Sequence, residues 1–555
     1  MKTKLSHVKN KPEWNVTGKA MFDVPEVPAF EFLRQSAKRY PQKPVLISFG
    51  RATAYHELDE LSDRLANALI EMGVKKGDRV GFYLPNCLEA IISFYGILKT
   101  GAYLVTLNIM LKEDEVAYQL SDYGSKTIIT LDRLYPTVKR ATGQYGLEHI
   151  ILTNLRDWAE PGASIPAEFD CKKMDEFPQG VHDFAEIIKK ASSEPPDVSI
   201  KPKEDLAVIL YTSGTTGKAK GAMLTHYCYS AASLANPIRQ GWKEDDVTLL
   251  FFPIFHVGCH GLTLCPAVMM GMTLVNVCKF DPREALGLIE KYRVTTAHIP
   301  PTGFIGLLRH PDFDKYDLSS LWYCACGGSP LPPALVREWK ERTGVRMLNA
   351  YGCTENTGLG GGACQETLIL NRENCAGTVN FELKIVDDEG NIVPRGVRGE
   401  IVHGGPGVAL GYWNKPEETE KSFPEPGWWR SGDLGYIDDD DFVYVVDRHK
   451  DLIITSGYNV APAEVEATIL SHEAVSEVCV YGIPDVYRGE AVKAAVVLKE
   501  ASKGRVSEQD LIDYCREKMA KYKAPRFVEF VEEIPKTSSG KMLRRVLRDR
   551  EAKKL

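Results

Sequence analysis

The residues with the clearest chemical potential form the segment Tyr211–Gly221, which reads YTSGTTGKAKG. It follows the apolar stretch Leu206–Leu210, which predicts a buried strand. Glycines let a backbone turn its N–H groups inward, while the hydroxyls and lysines of the segment add donors and positive charge. A loop that binds phosphate needs these components. It is not a Walker A loop, because only two residues separate Gly214 from Gly217. A flexible surface turn is the alternative interpretation.

Three shorter segments downstream carry side chains that suit a nucleotide and its metal. In YGCTE, Tyr351 offers a ring for a purine and Glu355 offers a carboxylate for Mg²⁺. Asp433, in WRSGD, can accept hydrogen bonds from both hydroxyls of a ribose. Lys541 lies in a Ser/Gly loop that precedes a basic helix. Taken singly, each has an ordinary alternative: a core tyrosine, a solvated glutamate, a turn aspartate and an exposed lysine.

The stretch from Val247 to Cys278 contains no Asp, Glu, Lys or Arg. Its length would allow a membrane span, but prolines and glycines interrupt it, and we expect a buried strand, loop, helix and strand instead. A lone histidine among apolar residues, such as His256, is more often a core residue than a ligand. The nearby Cys259, His260 and Cys265 do not have zinc-site spacing, so we expect no metal there.

The elements that must position these residues have the pattern of a parallel sheet covered by helices. Residues 55–130 alternate between the two element types, and residues 157–203 look like a surface connection. A second α/β run follows from Asp205 to about Tyr351, and a β-rich texture begins after Phe381. The expected helices are 58–72, Leu88–Lys99, Leu111–Tyr123, Pro462–Leu470, Glu508–Met519 and Leu543–Lys553. The expected strands are Val80–Leu84, Tyr103–Leu107, Thr127–Thr130, Phe381–Val386, Glu400–Val402, Val475–Tyr481, Ala491–Leu498 and Phe527–Phe530.

Composition narrows the class of protein. A chain of 555 residues predicts three or four structural units. The net charge of −7 argues against a broad nucleic-acid-binding surface. The 13 cysteines include no CxxC pair, which favours reduced thiols and a cytoplasmic location. The first residues, MKTKLSHVKNKPEW, contain no apolar stretch typical of a signal peptide.

Together and in order, the motifs resemble those of the AMP-forming adenylate family, which includes acyl-CoA synthetases, aryl-acid CoA ligases, peptide-synthetase adenylation domains and firefly luciferase. Ala219 replaces the proline usual in the family loop, and the link after Asn380 is shorter than usual. The resemblance implies a large N-terminal α/β domain over 1–446, with parallel-sheet subdomains and a small β-rich subdomain. It implies a small mobile α+β C-terminal domain over 447–555 that carries the catalytic lysine.

The resemblance also implies roles for individual residues. Lys541, Glu355 and Arg448 would be catalytic, with Glu355 and Thr212 on the Mg²⁺ side. The ATP-binding residues would be Thr212, Ser213, Gly214, Thr215, Thr216, Gly217, Lys220, Gly328, Ser329, Asn349, Ala350, Tyr351, Gly352, Thr354, Asp433, Arg448 and Lys541. The acyl pocket would include His256, Gly327 and Gly358, and the CoA tunnel Gly457 and Tyr458. Asp447 would be the hinge between the domains.

The activity that the resemblance implies is ATP-dependent ligation of a carboxylic acid to CoA, through an acyl-adenylate and with ATP, Mg²⁺ and CoA as the small molecules bound. A medium- or long-chain fatty acid or an aromatic acid is expected over acetate. A homodimer is possible, and neither nucleic acid nor a membrane span is expected. The alternatives are a luciferase-like oxidase, a stand-alone adenylation enzyme that loads a carrier protein, and a non-catalytic ATP-binding sensor.

Overall fold

The computed structural model describes residues 16–17, 23–143, 146–212, 219–328, 331–361, 375–378, 381–448, 451–455, 458–485, 488–537 and 541–553. Within these residues the strands form four sheets, which we call A to D.

Sheet A has seven strands, and all its neighbouring pairs are parallel except the first. In order across the sheet they are Lys220–Thr225, Leu206–Thr212, Tyr103–Thr106, Arg79–Tyr83, Thr127–Leu131, His149–Thr153 and Val181–Asp183. The accompanying helices are Tyr55–Glu71, Leu88–Lys99, Glu113–Tyr123, Tyr135–Ala141 and Phe184–Lys190. The predicted alternation over residues 55–130 is confirmed, and the helical stripe that begins at Leu58 packs into the core, where Leu58, Leu65 and Leu69 are fully buried.

The prediction that residues 157–203 form only a surface connection is wrong. The segment supplies the edge strand Val181–Asp183 and the helix Phe184–Lys190. Both elements are held by apolar contacts, since Phe184 and Ile188 are buried in the core beneath the sheet. Asp183 caps the helix by accepting a hydrogen bond from the backbone N–H of Glu186 (2.8 Å).

Sheet B also has seven strands, parallel except for the edge pair. In order they are Met347–Ala350, Tyr323–Gly327, Thr296–Ile299, Val247–Leu250, Thr273–Asn276, Pro44–Ser48 and Arg51–Ala54. Its helices are Glu31–Arg39, His226–Gln240, Val257–Cys259, Cys265–Met270, Pro282–Lys291, Pro301–Leu308 and Pro333–Thr343, with a π-helical turn at His260–Leu264. The charge-free stretch 247–278 therefore folds as predicted, as strand, short helices and strand. In the part of the chain that the structure describes, no helix is long and apolar enough to cross a bilayer.

Apart from one short N-terminal strand, sheets C and D are formed by the second half of the chain. Sheet C is antiparallel and contains Val16–Thr17, Glu382–Val386, Gly399–Gly404, Trp428–Ile437 and Val443–Arg448, with the helix Pro416–Ser422. Sheet D contains Tyr458–Val460, Ile453–Thr455, Gly489–Leu498, Val475–Asp485 and Phe527–Phe530, with the helices Pro462–Leu470, Glu508–Lys518 and Arg544–Ala552. The predicted β-rich region and the elements of the last unit are confirmed.

The chain passes from sheet C to sheet D between Arg448 and Ile453. A side-chain hydrogen bond spans this passage: the Asp447 carboxylate (Oδ2) accepts from the backbone N–H of Ala463, at the start of the helix Pro462–Leu470 (3.0 Å). Asp447 is therefore part of the last strand of one unit and binds the first turn of the first helix of the next.

Candidate active site

The expected phosphate-binding loop connects two antiparallel strands at the edge of sheet A. Thr212, at the end of one strand, lies opposite Lys220, at the start of the next. The Tyr211 hydroxyl fixes the first strand by donating a hydrogen bond to Asp122 (2.6 Å). Residues 213–218 lie outside the described residues, and with them Ser213, Gly214, Thr215, Thr216 and Gly217. The flanks therefore hold the two ends of the loop in register.

A network of side chains joins Lys220 to Glu355. The Lys220 ammonium pairs with Glu418 and lies 5.1 Å from the ring centroid of Tyr412. The Tyr412 hydroxyl donates a hydrogen bond to the Glu355 carboxylate (Oε1, 2.8 Å). Burial and the Glu355 charge raise the pKa of Tyr412, so it remains a donor at neutral pH. Glu355 itself is 9% exposed and lies in the turn Thr354–Asn356.

Sequence reasoning missed Tyr412 and Glu418. Their position depends on residues 410–413 running alongside the strand Lys220–Thr225. The N–H of Met223 donates to the Gly411 carbonyl (2.9 Å), and the N–H of Trp413 donates to the Gly221 carbonyl (2.8 Å). No local motif signals this pairing, because the two segments are far apart in the chain.

Tyr351 and Asp433 contact each other directly. The Tyr351 hydroxyl donates a hydrogen bond to Asp433 (Oδ2, 2.7 Å), and the Cys353 thiol lies 3.8 Å from the same oxygen. Asp433 is nearly buried, at 4% exposure. Burial and the neighbouring Asp433 charge raise the pKa of the Tyr351 hydroxyl, which keeps it protonated. The expected purine-binding ring and the expected ribose-binding carboxylate are thus one hydrogen-bonded unit.

His403 contacts the hydroxyl of Tyr351 in this unit, and it was not identified from the sequence. Its Nε2 lies 3.3 Å from the Tyr351 hydroxyl, and because that hydroxyl donates to Asp433, His403 is the donor. The His403 ring stacks on Trp429, with centroids 5.7 Å apart, and tilts against Tyr351 at 5.5 Å. Burial lowers the pKa of His403 to about 3, so the imidazole is neutral near pH 7.

Close backbone approach at the carboxyl ends of sheet B explains two of the expected glycines. Gly327 lies opposite Ala350 on the neighbouring parallel strand, and a Cβ on Gly327 would be 2.8 Å from the Ala350 carbonyl oxygen. A Cβ on Gly352 would collide with the Gly358 backbone. In open α/β sheets, ligands bind beside such strand ends.

The remaining residues expected near the nucleotide lie at or beside the same strand ends. Asn349 and Ala350 are the last residues of their strand, Gly328 follows the neighbouring strand, and Thr354 begins the turn with Glu355. Ser329 lies outside the described residues.

His256 and Lys541 come within electrostatic range of each other although they belong to different sheet systems. His256 caps a short helix by accepting the N–H of Gly258 (3.0 Å), and its ring stacks on Phe252 at 5.7 Å. Burial, and to a smaller degree the positive charge of Lys541, lowers the pKa of His256 to about 4. The loop with Lys541 is closed by two hydrogen bonds between residues 537 and 541 (2.7 and 3.0 Å). The structure therefore brings Lys541 within electrostatic range of His256, one of the residues expected in the acyl pocket.

The residues expected to form the hinge and the CoA tunnel are described only in part. Asp447 and Arg448 pair with Leu434 and Asp433 across sheet C, so the backbone of Arg448 lies beside the expected ribose site. Tyr458 begins a short strand opposite Thr455. The side chains of Arg448 and Tyr458, and all of Gly457, are outside the described part.

Comparison with known proteins identifies the family of the chain. Residues 33–413 match the model of the AMP-binding enzyme family, and residues 464–541 match the AMP-binding enzyme C-terminal domain. The chain is 36% identical over 537 residues to a long-chain-fatty-acid–CoA ligase of Bacillus subtilis, covering 94% of each chain. It is 34% identical over 541 residues to one of Escherichia coli O6:H1, again covering 94% of each.

Solved structures give the same result. The anthranilate CoA ligase AuaEII, in complex with anthranoyl-AMP, superposes with a TM-score of 0.84 at 30% identity, covering 97% of this chain and 100% of that one. A fatty acyl CoA synthetase of Mycobacterium tuberculosis superposes with a TM-score of 0.70 at 31% identity, covering 95% and 99%. The expected fold, a large α/β domain followed by a smaller C-terminal domain, is confirmed, and the chain belongs to the AMP-binding enzyme family of adenylate-forming acid–thiol ligases.

Proposed function

We propose that the protein ligates a carboxylic acid to CoA at the expense of ATP, releasing AMP and pyrophosphate. Two observations carry the proposal: Lys541 lies within electrostatic range of His256, and the Tyr412 hydroxyl fixes the Glu355 carboxylate in the network that includes Lys220. Relatives named long-chain-fatty-acid–CoA ligase and a structural neighbour that holds anthranoyl-AMP support a medium- or long-chain fatty acid or an aromatic acid as the substrate.

In the first step the acid carboxylate attacks the α-phosphorus of ATP. An O–P bond forms, the bond to the β-phosphate oxygen breaks, and pyrophosphate leaves with the electron pair. We assign the triphosphate to loop 211–221 and Lys220, the adenine to Tyr351 and the ribose to Asp433. Positioning of the reactants and stabilisation of charge supply the rate enhancement.

Two oxygen ligands fit a magnesium ion that enters with ATP. Glu355 provides a nearly buried carboxylate, fixed by the Tyr412 hydroxyl, and Thr212 ends the strand that leads into the phosphate loop. Carboxylate and hydroxyl oxygens are the hard donors that Mg²⁺ prefers. When bound, the metal would neutralise charge on the phosphates.

In the second step the CoA thiol attacks the acyl carbon. A C–S bond forms, the C–O bond to the phosphate breaks, the thiol proton passes to solvent and AMP leaves with the electron pair. We propose that the domain over 447–555 rotates about Asp447 between the steps. The first step needs residues around the phosphates of ATP, and the second needs a path for the CoA thiol, so the two steps require different parts of this domain at the site. Arg448 then contacts the nucleotide, and the pantetheine arm passes Gly457 and Tyr458.

The test of the function measures two signals on one enzyme preparation across a panel of acids. Acid-dependent ATP–pyrophosphate exchange reports adenylation, and loss of CoA thiol, followed with DTNB, reports ligation. We expect both with fatty or aromatic acids. Exchange without thiol loss would favour a stand-alone adenylation enzyme, and the absence of exchange with every acid would favour an ATP-binding sensor.

We further propose that the protein works in the cytoplasm. The support is chemical: in the described part of the chain, no cysteine is in a disulfide. We also propose that two copies form a homodimer. Sedimentation analysis of the full chain tests this by measuring its mass in solution.

The hinge can be tested with a matched pair of variants at Asp447. Asp447→Pro fixes φ and should lower the rate of thioester formation at least about tenfold while adenylation largely persists. Asp447→Ala loses the same hydrogen bond to Ala463 but keeps a rotatable φ, so it should retain most thioester formation. Rapid-quench measurement of each half-reaction decides. A hinge at this residue is excluded if proline lowers both half-reactions equally.

His403 is expected to act as a positioning residue for the nucleotide, through Tyr351. His403→Phe keeps a stacking ring but removes the donor, and should raise the KM for ATP about three- to tenfold, the loss of one hydrogen bond. His403→Gln restores a donor and should recover most of that loss. The KM for CoA should not change in either variant. If it rises together with the KM for ATP, the role of His403 is only structural.

A further inference from the structure

A cleft of about 340 Å³ lies where the N-terminal and C-terminal units meet, and none of its lining residues belongs to the candidate active site. One wall is the start of the helix Pro333–Thr343, with Pro332 and Arg337. The opposite wall combines the end of the helix Pro462–Leu470 with the helix Glu508–Lys518. The cleft therefore exists only when the two units have this relative orientation.

The charges of the cleft are all positive. Arg337 lines one wall and Lys518 the other, and no aspartate or glutamate is among the lining residues. Of the carboxylates on the same two helices, Glu338 and Asp513 pair with other arginines at 2.5 and 2.9 Å. Among the described residues, neither cleft cation forms an ion pair. Because like charges repel, two cations in one small cleft favour an anion between them.

The wall that carries Lys518 is held in place by Tyr514. The Tyr514 hydroxyl is hydrogen-bonded to Ser471 (3.0 Å), and its ring packs edge-on against His472 with centroids 4.9 Å apart. The Lys518 ammonium lies 5.8 Å from the Tyr514 ring centroid. The Tyr514 ring therefore lies beside the exposed Lys518 ammonium on this wall of the cleft.

The rest of the lining is apolar and hydroxylic. Pro332, Pro333 and Leu470 offer surface for an organic group, and Thr468 and Ser471 line the same cleft. We propose that the cleft binds a small phosphorylated metabolite, with its phosphate between Arg337 and Lys518 and its organic part against the two prolines and Leu470. A phosphate dianion matches two cations, and both side chains donate hydrogen bonds to phosphate oxygens.

Such a ligand should change the rate of one half-reaction relative to the other. Its site has one wall on each unit, so it stabilises the orientation that brings the charge of Lys541 to His256. If this is the orientation that forms the adenylate, a bound anion slows thioester formation. This consequence rests on the proposed domain rotation, whereas the binding itself does not.

Equilibrium dialysis of the full chain, without ATP, acid or CoA, tests the binding with two probes: inorganic phosphate and glycerol 3-phosphate. Arg337→Ala and Lys518→Ala should each weaken binding of glycerol 3-phosphate about five- to tenfold. Lys340→Ala and Arg516→Ala, on the same two helices but outside the cleft, should leave it unchanged. Equal affinities in all four variants would overturn the site.

The second probe separates the free anion from an ester. Glycerol 3-phosphate should bind more tightly than inorganic phosphate, because its organic part contacts the apolar lining. If the two probes bind equally, the assignment to a phosphorylated metabolite is wrong. Rates of the two half-reactions, measured with and without glycerol 3-phosphate, then test the coupling. Glycerol 3-phosphate should slow thioester formation in the unmodified protein but not in Arg337→Ala. An equal response in both proteins would refute the coupling between the cleft and the half-reactions.

Discussion

Replacing Lys541 with alanine is expected to lower the rate of adenylate formation by ~10²–10³, the usual cost of removing one donor aimed at charge that develops in the transition state. As the acid oxygen adds to the α-phosphorus, negative charge grows on the phosphate oxygens. An ammonium is compact and carries three donors, so it can bridge the incoming carboxylate and the phosphate. Thioester formation from preformed acyl-adenylate should be retained, because the proposed rotation carries the Lys541 loop away.

The matched control is Lys536→Ala. Lys536 lies just before the same loop, but its ammonium pairs with Glu477 at 2.7 Å, so its loss should not affect adenylation. Both half-reactions are measured on one preparation of each variant. If they fall together in Lys541→Ala while the control is normal, Lys541 serves both steps and the proposed division of labour is wrong.

A second readout for Lys541 does not depend on activity. Burial and the Lys541 charge together hold the pKa of His256 near 4, and burial is the larger cause. Removing a nearby positive charge makes protonation of an imidazole easier, so the pKa of His256 should rise in Lys541→Ala while staying below the ordinary value of about 6.5. NMR titration of labelled histidines measures this. An unchanged pKa would mean that the lysine does not approach the acyl pocket in solution.

The sequence predicts those parts of the site whose function is local. Gly327 and Gly352 can be recognised because each lies in a short motif at a strand end, where the neighbouring backbone approaches too closely for a Cβ. Tyr351, Glu355 and Asp433 can be recognised for the same reason, since their chemistry belongs to motifs of about five residues. The helices and strands over residues 55–130 of sheet A follow from hydrophobic periodicity, because strands and helices there alternate regularly.

The residues that the sequence did not predict act through partners distant in the chain. Tyr412 donates to a residue 57 positions away, and His403 contacts one 52 positions away. Each is an ordinary aromatic residue in a β-rich region until the fold brings its partner to it. The strand Val181–Asp183 was missed for a different reason: three residues are too few to show alternation.

Replacing Glu355 with glutamine is expected to lower adenylation at least about tenfold, or roughly 1.4 kcal/mol, and to raise the Mg²⁺ concentration needed for half-maximal rate. The substitution preserves the size of the side chain and an oxygen that can accept from the Tyr412 hydroxyl, so the local fold should persist. It removes the negative charge, and a neutral amide oxygen is a weaker ligand for Mg²⁺ than a carboxylate.

Tyr412→Phe distinguishes the contribution of the Glu355 charge to adenylation from the contribution of the position of its carboxylate. This variant leaves the carboxylate but removes the donor that fixes Oε1, so adenylation should fall by less than in Glu355→Gln, and the Mg²⁺ requirement should rise only slightly. Titrating Mg²⁺ at fixed ATP for both variants, with pyrophosphate release as the signal, distinguishes the two contributions. If Glu355→Gln titrates like the unmodified protein at full activity, the carboxylate only holds Tyr412 and the backbone around residue 355, and the metal is bound elsewhere.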